Sequence, residues 1–522
     1  MWQRKTVHPS ANRFARDGQP GATAFDALIR RMLESPAQRQ ARPGRLVRYL
    51  VTRPPEQASP PSIPFGPGAT YSPRYASGDG PDYDNILACI RCGLCLSVCP
   101  TYSTDGVEVQ SPRGRVALIR AWQEGRLELS PNLRSHLYHC LDCRACQTVC
   151  PTGVRVGEHV LGARTIAEAQ RRAGLVEGAL KRFALRCLLP HPDRLEASLL
   201  PLRLYQRLGL QSLARRSGLL RLLPEQLAVM EGLLPPLPPR PLRQTLPEVV
   251  PAQGGTRYRV GFFLGCVMTL VFSRASRATV DVLAANGCEV MTPKRQVCCG
   301  APHAEEGEMD DVRALARRNI DIFEGLGVDY VVADCAACGA QTKEYAHLLR
   351  DDPEYAERAR AFSAKVRDVS EFLAAIPLRR PLGSIARRVA YHMPCHLAHA
   401  QKVREAPRQL LRQVPGLHLA ELNEADWCCG SAGIYNISHA RRARAILERK
   451  LANVAASGAD TLVTGNPGCL LQLMAGVREK GWQVDVRHPL EMLALAYAGG
   501  VGEELAPLQA AGAREANGSA TD

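Results

Sequence analysis

Two cysteine motifs with identical spacing decide how this sequence is organised. The first reads Cys89-Ile-Arg-Cys-Gly-Leu-Cys-Leu-Ser-Val-Cys99-Pro100, and the second reads Cys140-Leu-Asp-Cys-Arg-Ala-Cys-Gln-Thr-Val-Cys150-Pro151. In both, gaps of two, two and three residues separate the four cysteines, and a proline follows the last one. This spacing is typical of polypeptide that wraps a pair of [4Fe–4S] clusters.

The spacing also predicts which cysteines share a cluster. Three closely spaced cysteines can hold three corners of one cubane, while the fourth reaches across to the other cluster. We therefore assign one [4Fe–4S] cluster to Cys89, Cys92, Cys95 and Cys150, and the other to Cys99, Cys140, Cys143 and Cys146. A pair of zinc sites is the alternative, but zinc is usually bound by two separated CxxC knuckles.

The sequence after residue 256 repeats itself. Three pairs of cysteines lie at nearly constant separations, which are 129 residues from Cys266 to Cys395, 130 from Cys298 to Cys428 and 131 from Cys338 to Cys469. Each copy opens with a β-rich run and continues into a helical pattern, with a second apolar run before its last cysteines. This alternation predicts βα units with mainly parallel strand pairing.

The two copies offer different sets of thiols. The first has five cysteines that could hold a third cluster, namely Cys266, Cys298, Cys299, Cys335 and Cys338. The second has four that leave an iron–sulfur cluster, a zinc ion or an empty site open, namely Cys395, Cys428, Cys429 and Cys469. Asn466 stands where the first CxxC cysteine would be. Gly300 and Gly430, after the adjacent cysteine pairs, would let the backbone approach closely.

Composition divides the rest of the chain. We predict an α+β multidomain protein in which a helical two-cluster ferredoxin-like domain precedes duplicated α/β cysteine-rich domains. The predicted segments are a basic, proline-rich, disordered extension at 1–80, the two-cluster domain at 81–190, leucine- and arginine-rich helices with a proline-rich linker at 191–256, the repeats at 257–380 and 381–500, and a disordered tail at 501–522.

Charge and cysteine content limit the classes of function. The net charge of +15 favours an acidic partner surface or an anionic membrane face, although an arginine-rich composition alone would produce it. A nucleic-acid partner is not expected, because no reading module is evident. The apolar, charge-free stretch from Val260 to Ser273 is shorter than the roughly 20 residues that span a bilayer. Nineteen cysteines without an export signal indicate metal ligands in a reducing compartment. We expect a cytoplasmic location, with peripheral contact to the inner membrane left open.

The order of these motifs resembles the family of glycolate oxidase iron–sulfur subunits, in which two ferredoxin motifs precede two CCG cysteine-rich domains. The resemblance covers about residues 80–500 and includes the strings Ser111-Pro-Arg-Gly-Arg115, Met393-Pro-Cys-His-Leu-Ala-His-Ala-Gln-Lys402 and Cys428-Cys-Gly-Ser-Ala-Gly433. Related proteins with this layout serve lactate oxidation, anaerobic glycerol-3-phosphate oxidation and heterodisulfide reduction.

The resemblance implies an electron-transfer subunit without catalytic residues of its own. An FAD-containing flavoprotein partner would oxidise a 2-hydroxy acid, and the clusters would pass electrons to a quinone or another acceptor. No GxGxxG fingerprint follows a predicted strand, which agrees with a flavin held elsewhere. The intact quintet of the first repeat resembles heterodisulfide reductase subunits instead, where such quintets hold noncubane clusters that act on disulfides. Disulfide chemistry is therefore the alternative function.

Histidines cluster near these cysteines. His392, His396 and His399 flank Cys395, and His303 follows the first adjacent pair. Because histidines in globular proteins are more often structural than ligating, we assign these residues no role.

Overall fold

The computed structural model describes residues 78–171, 175–379 and 383–499. The predicted extension at 1–80, except for its last three residues, and the predicted tail at 501–522 lie outside the described residues. No helix within the described ranges is both long and apolar enough to cross a membrane.

Short helices surround the two ferredoxin-type motifs and enclose an apolar core that includes Trp122, Ile119 and Leu137. The helices are α1 (Tyr83–Leu87), α2 (Leu94–Ser97), α3 (Pro100–Asp105), α4 (Pro112–Gln123), α5 (Pro131–Tyr138), α6 (Ala145–Thr148) and α7 (Val156–Ala169), with a 3₁₀ turn at Glu108–Gln110.

The string Ser111-Pro-Arg-Gly-Arg115 builds the start of α4. The Ser111 hydroxyl accepts a hydrogen bond from the Gly114 amide at 2.9 Å and so caps the helix. A Cβ at Gly114 would lie 2.0 Å from the Glu108 carbonyl oxygen, so only glycine fits there. Arg115 is buried and donates to the carbonyl oxygens of His136 at 3.0 Å and Gln110 at 2.5 Å. The string therefore fixes α4 against the 3₁₀ turn and against α5, which precedes the second motif.

A run of small helices joins this domain to the repeats. It comprises α8 (Leu175–Arg182), a π-helix (Phe183–Leu188), α9 (Pro192–Ser198), α10 (Leu200–Arg207), α11 (Leu210–Ser217), a 3₁₀ turn (Leu219–Leu222), α12 (Glu225–Leu233) and α13 (Leu242–Thr245). Many leucines here are not packed on the core. Leu204, Leu208, Leu213 and Leu222 are 56%, 63%, 64% and 80% exposed.

The proline-rich stretch predicted as a linker before residue 257 is partly structured. Leu242 and Leu246 are buried in the core of the repeats. Strand β1 (Val249–Val250) pairs antiparallel with the strand that contains Met291. The positions of the prolines predict where helices end, but they do not predict which single leucines are buried against the core.

The repeats form two similar parallel sheets. In the first repeat the strands are β2 (Tyr258–Phe263), β3 (Cys288–Met291), β4 (Tyr330–Ala333) and β5 (Val366–Asp368), in the order β1-β3-β2-β4-β5. In the second they are β6 (Arg387–Tyr391), β7 (Leu417–Ala420), β8 (Thr461–Val463) and β9 (Asp485–Arg487), in the order β7-β6-β8-β9. Apart from the added edge strand β1, strand order and parallel pairing match, which confirms the predicted duplication.

Helices cover both sheets. Those of the first repeat are α14 (Cys266–Val271), α15 (Ser273–Ala285), α16 (Ala301–Glu305), α17 (Met309–Glu324), α18 (Ala336–Lys343), α19 (Tyr345–Leu348), α20 (Ala356–Lys365) and α21 (Val369–Ala374). Those of the second are a π-helix (His396–Ala400), α22 (Ala406–Arg412), α23 (Tyr435–Ser438), α24 (Ala440–Ser457), α25 (Pro467–Glu479) and α26 (Pro489–Tyr497).

The two repeats pack as one body. A single apolar core runs from Phe262 in the first sheet to Val389 in the second. Buried His488 donates from Nε2 to the Asp334 carbonyl oxygen at 2.9 Å and accepts at Nδ1 from the Leu490 amide at 3.2 Å. Burial lowers the pKa of His488 to about 4, so the imidazole is neutral and can do both.

The glycines after the adjacent cysteine pairs bring the backbone close to a neighbouring helix, as expected. Gly430 has φ +89°, and a Cβ there would lie 2.6 Å from the Ala443 carbonyl oxygen in α24. Gly300 has φ +92°, and its Cβ would lie 3.1 Å from the Val312 side chain in α17.

Replacing Gly430 with alanine should destabilise the protein more than the same change at Gly481. Both glycines have positive φ, but a Cβ at Gly481 would meet open space. Gly481→Ala should cost about 1–2 kcal/mol from the left-handed backbone alone. Gly430→Ala should add a steric cost of roughly 1–3 kcal/mol. Thermal unfolding of both variants at one scan rate, under anaerobic conditions, measures the difference; equal midpoints would contradict the close approach.

Candidate metal centres

The ferredoxin-type cysteines line two adjacent cavities. We call the first the outer cavity; Cys89, Cys92, Cys95 and Cys150 border it, and Cys92 is exposed to solvent. We call the second the inner cavity; Cys99, Cys140, Cys143 and Cys146 border it, and Cys99 is buried. Cys146 also borders the outer cavity, so the two cavities are adjacent.

The backbone of both motifs follows the same unusual path. Arg91 and Gly93 have φ of 58° and 87°, and the equivalent Asp142 and Arg144 have φ of 44° and 58°. Left-handed residues within a loop can turn successive N–H groups toward one side, which creates a concave site for an anionic centre. The motif backbones are therefore shaped to receive a negatively charged group such as a thiolate-ligated cluster.

The inner cavity lies directly against the second repeat. Cys143 packs with Cys395, Cys428 and Trp427 in a small apolar cluster. Burial raises the pKa of the Cys143 thiol well above its usual value, and the nearby sulfurs of Cys428 and Cys395 raise it further. Sulfur groups from the first and last thirds of the described chain therefore meet at this point.

A charged pair accompanies this contact. His396 Nε2 lies 4.0 Å from the Asp142 carboxylate. Burial opposes protonation of His396, but the Asp142 carboxylate and the Cys395 sulfur raise its pKa to about 10. Nearby, the Thr148 hydroxyl and His399 Nδ1 are 3.0 Å apart. Polar contacts thus join the second motif to the helix that follows Cys395.

Arg164 connects the inner cavity to the first repeat. Its guanidinium donates to the carbonyl oxygens of Leu137 at 2.9 Å, Cys140 at 2.6 Å and Glu305 at 3.1 Å. Because the side chain is 5% exposed, these hydrogen bonds are shielded from water. The buried Arg164 guanidinium thereby fixes the second motif against α5 and against α16 of the first repeat.

The first repeat brings its five predicted cysteines together at the carboxyl edge of its sheet. Cys266 follows β2, Cys298 and Cys299 follow β3, and Cys335 and Cys338 follow β4. Cys266 contacts Cys298, and Cys299 contacts Cys338. The Cys338 amide lies 3.3 Å from the Cys335 sulfur.

The second repeat also brings its four predicted cysteines together, because Cys428 contacts both Cys395 and Cys429. Cys395 contacts Cys428 on the side that faces Cys143. The Cys429 and Cys469 sulfurs lie 3.3 Å apart, and His392 lies beside them.

Most of these buried thiols are poor acids in their present surroundings. Burial and neighbouring sulfurs raise the pKa of Cys146, Cys266, Cys338, Cys395 and Cys429 well above the usual value. A bound cation reverses this effect, because it stabilises the thiolate form directly. The donor sets therefore suit positively charged metal centres. By contrast, Cys187 and Cys288 stand apart from these sets, and Cys288 is buried within β3.

Two features of this region were missed in the sequence. The contact between Cys143 and the second repeat has no sequence signal, since it joins residues more than 250 positions apart. The position of His392 beside two cysteines did have a signal, which is the alignment of the two repeats: His392 stands where the first repeat has Phe263.

Sequence profiles of known families match most of the described chain. Residues 85–154 match the 4Fe-4S dicluster domain, and residues 260–343 and 389–474 match the cysteine-rich domain CCG. Residues 176–234 match the profile described as glycolate oxidase iron-sulfur subunit, linker region.

Similar curated proteins share this organisation. The chain is 41% identical over 409 residues to the probable glycolate oxidase iron-sulfur subunit of Bacillus subtilis, covering 78% of this chain and 92% of that protein. It is 33% identical to the glycolate oxidase iron-sulfur subunit of Escherichia coli, covering 78% of this chain and 94% of that protein. It is 32% identical to lactate utilization protein A of Shouchella clausii, which it covers to 98%, but only 45% of this chain takes part.

Proposed function

The chain belongs to the family of glycolate oxidase iron–sulfur subunits, and on that premise we propose that it accepts electrons from a glycolate-oxidising flavoprotein and passes them to a quinone or another acceptor. The observation that supports this most directly is the adjacency of the sulfur sites, which run from the exposed outer cavity through the inner cavity to Cys395 and Cys428 of the second repeat. Glycolate is favoured over lactate because the relatives matched over most of this chain carry that name, whereas the lactate relative matches less than half of it.

Two [4Fe–4S] clusters begin the path. The outer cavity would hold one on Cys89, Cys92, Cys95 and Cys150, and the inner cavity would hold the other on Cys99, Cys140, Cys143 and Cys146. When bound, a cluster of this type accepts and releases single electrons. The protein's own contribution is to set the order of the sites and to shield the inner one behind Trp427 and the second repeat.

The five cysteines of the first repeat would hold a third iron–sulfur cluster, which continues the path or acts on a disulfide. Burial favours the first role. Cys298, Cys299, Cys335 and Cys338 are between 3% and 6% exposed, so a disulfide substrate would have to reach enclosed sulfur atoms. An electron needs no such contact.

An apolar rim around the outer cavity is our proposed docking surface for the flavoprotein. Leu87, Ile90 and Leu94 are 45%, 65% and 55% exposed, and the last two flank Cys92. Exposed apolar groups that surround a functional site commonly mark a contact surface. Docking here would place the flavin next to the first cluster of the path.

The crossed assignment of the clusters can be tested with serine variants. Cys99→Ser should remove about four iron atoms and the same electron paramagnetic resonance signal as Cys143→Ser, while Cys150→Ser should remove the signal lost in Cys89→Ser. Cys187→Ser, which changes a cysteine outside the sets, is the control and should keep all its iron. If Cys99→Ser instead removed the signal lost in Cys89→Ser, each motif would hold its own cluster and the assignment would be wrong.

The substrate and partner can be tested on the native complex. Anaerobic purification of the tagged chain from its host should recover a flavoprotein, and dye reduction by that complex should be fastest with glycolate among glycolate, D-lactate, L-lactate and glycerol 3-phosphate. A complex that prefers lactate would revise the substrate only. Glycolate oxidation by the isolated chain, or a complex inert to every acid, would overturn the relay.

The docking surface can be tested with charge. Ile90→Glu combined with Leu94→Glu should weaken flavoprotein binding at least tenfold while iron content stays unchanged, because a charged group desolvated at the interface is unfavourable. Leu222→Glu, which changes a more exposed leucine elsewhere, is the matched control. Binding measured by surface plasmon resonance under anaerobic conditions distinguishes them; loss of binding in the Leu222 variant alone would move the surface to the leucine-rich helices.

A further inference from the structure

Three side chains of the second repeat form a compact group of potential metal ligands. His392 follows β6, Cys429 lies in the loop after β7, and Cys469 lies in the first turn of α25 after β8. Their ligand atoms all lie within 4.8 Å of one another, and all three residues are buried. Across the described ranges, this is the one trio of histidine, cysteine or acidic side chains with that geometry.

Comparison of the two repeats explains the origin of the group. With Cys266 aligned to Cys395, His392 takes the position of Phe263. With Cys338 aligned to Cys469, Asn466 takes the position of Cys335. Compared with the first repeat, the second has one thiol fewer and one imidazole more, and both differences lie at the same edge of the sheet.

His392 is positioned but not satisfied by protein contacts. Its backbone N–H donates to the Val463 carbonyl oxygen at 2.9 Å, which fixes the residue beside the strand that leads to Cys469. The ring is fully enclosed, and neither ring nitrogen makes a hydrogen bond of normal geometry, the Ala425 carbonyl being the nearest backbone acceptor that interacts with it. Burying an imidazole without a partner is unfavourable by roughly 1–3 kcal/mol, so its persistence here points to a ligand.

Asn466 supports the group without belonging to it. Its Oδ1 accepts from the Ala337 amide at 3.2 Å, and this contact fixes the orientation of the side-chain amide. The opposite Nδ2 then lies 3.6 Å from the Cys469 sulfur. An N–H group directed at a sulfur stabilises the thiolate that binds a metal.

Distance and charge favour one divalent ion over a cluster. A tetrahedral Zn²⁺ with Zn–S bonds near 2.3 Å holds its thiolates about 3.8 Å apart, close to the 3.3 Å between the Cys429 and Cys469 sulfurs. Cysteines of a cubane are bound to different irons, and those of the ferredoxin-type motifs form no such compact trio. Two thiolates also cancel the charge of the ion, which suits a buried site.

We propose that His392, Cys429 and Cys469 bind a single Zn²⁺ in the second repeat. Cys395 and Cys428 contact each other and face Cys143; Cys428 also contacts Cys429, but neither residue belongs to the compact trio. The duplicated domains thus take different metals, with iron and sulfide at the five thiols of the first repeat and zinc at the mixed site of the second. This proposal does not depend on the substrate or on the flavoprotein.

Metal analysis of the anaerobically purified full chain tests the site. Wild type should contain about one zinc, and X-ray absorption at the zinc edge should report two sulfur ligands and at least one nitrogen. His392→Phe, which copies the residue at position 263, should lower zinc at least tenfold without loss of iron. Cys266→Ser in the first repeat is the matched control and should lose iron while keeping zinc.

Several outcomes would overturn the proposal. They are wild type that is full of iron but free of zinc, zinc ligated by four sulfurs, and zinc retained in His392→Phe. A change of iron content or of an iron–sulfur signal in His392→Phe would instead make His392 a cluster ligand. If His392→Phe fails to fold, the wild-type absorption spectrum still decides, and His392→Cys should retain zinc with three sulfur ligands.

Discussion

Parallel strand pairing is the constraint on which the sulfur sites depend. Neighbouring parallel strands end at the same edge of a sheet, and ligand sites form at this carboxyl edge. In the first repeat β2, β3 and β4 deliver five cysteines there, and in the second β6, β7 and β8 deliver four cysteines and His392. The cysteines are separated by up to 74 residues within one copy, from Cys395 to Cys469. Only the shared strand order brings them into contact.

The two-cluster domain packs against the carboxyl edge of the second sheet. Cys143 packs on Cys395 and Cys428, and Arg164 donates hydrogen bonds both to its own motif and to Glu305 of the first repeat. Buried polar groups of this kind are costly unless every donor is satisfied, so the contacts define one arrangement rather than a sliding surface. As a result, the sulfur groups of the two-cluster domain and of the second repeat lie in direct contact.

Much of this architecture could be predicted from local patterns in the sequence. Constant offsets between cysteines predicted the duplicated sheets. Each set of ferredoxin-type cysteines borders one cavity, but its assignment to a cluster stays a prediction. Burial of Leu242 and Leu246 in the supposed linker was not predictable, because single apolar residues among prolines carry no periodicity. The position of His392 beside Cys429 and Cys469 was not predicted for a related reason: among the three histidines near Cys395, only comparison with Phe263 of the other repeat makes it distinct. Contacts across the chain, such as that of Cys143 with Cys428, follow from tertiary packing alone.

The difference in solvent exposure between the two cavities determines the order in which their sulfur groups are oxidised. Cys92 is open to solvent, whereas Cys99 is buried and Cys143 is covered by Trp427 and the second repeat. Dioxygen, peroxide and chelators therefore reach the outer sulfur set first, since oxidation follows exposure of the sulfur. Damage would proceed from the surface inward and disconnect the chain from its electron donor before the inner sites are affected. A docked flavoprotein would then serve as a cover as well as a donor, so free subunits would be inactivated sooner than assembled ones.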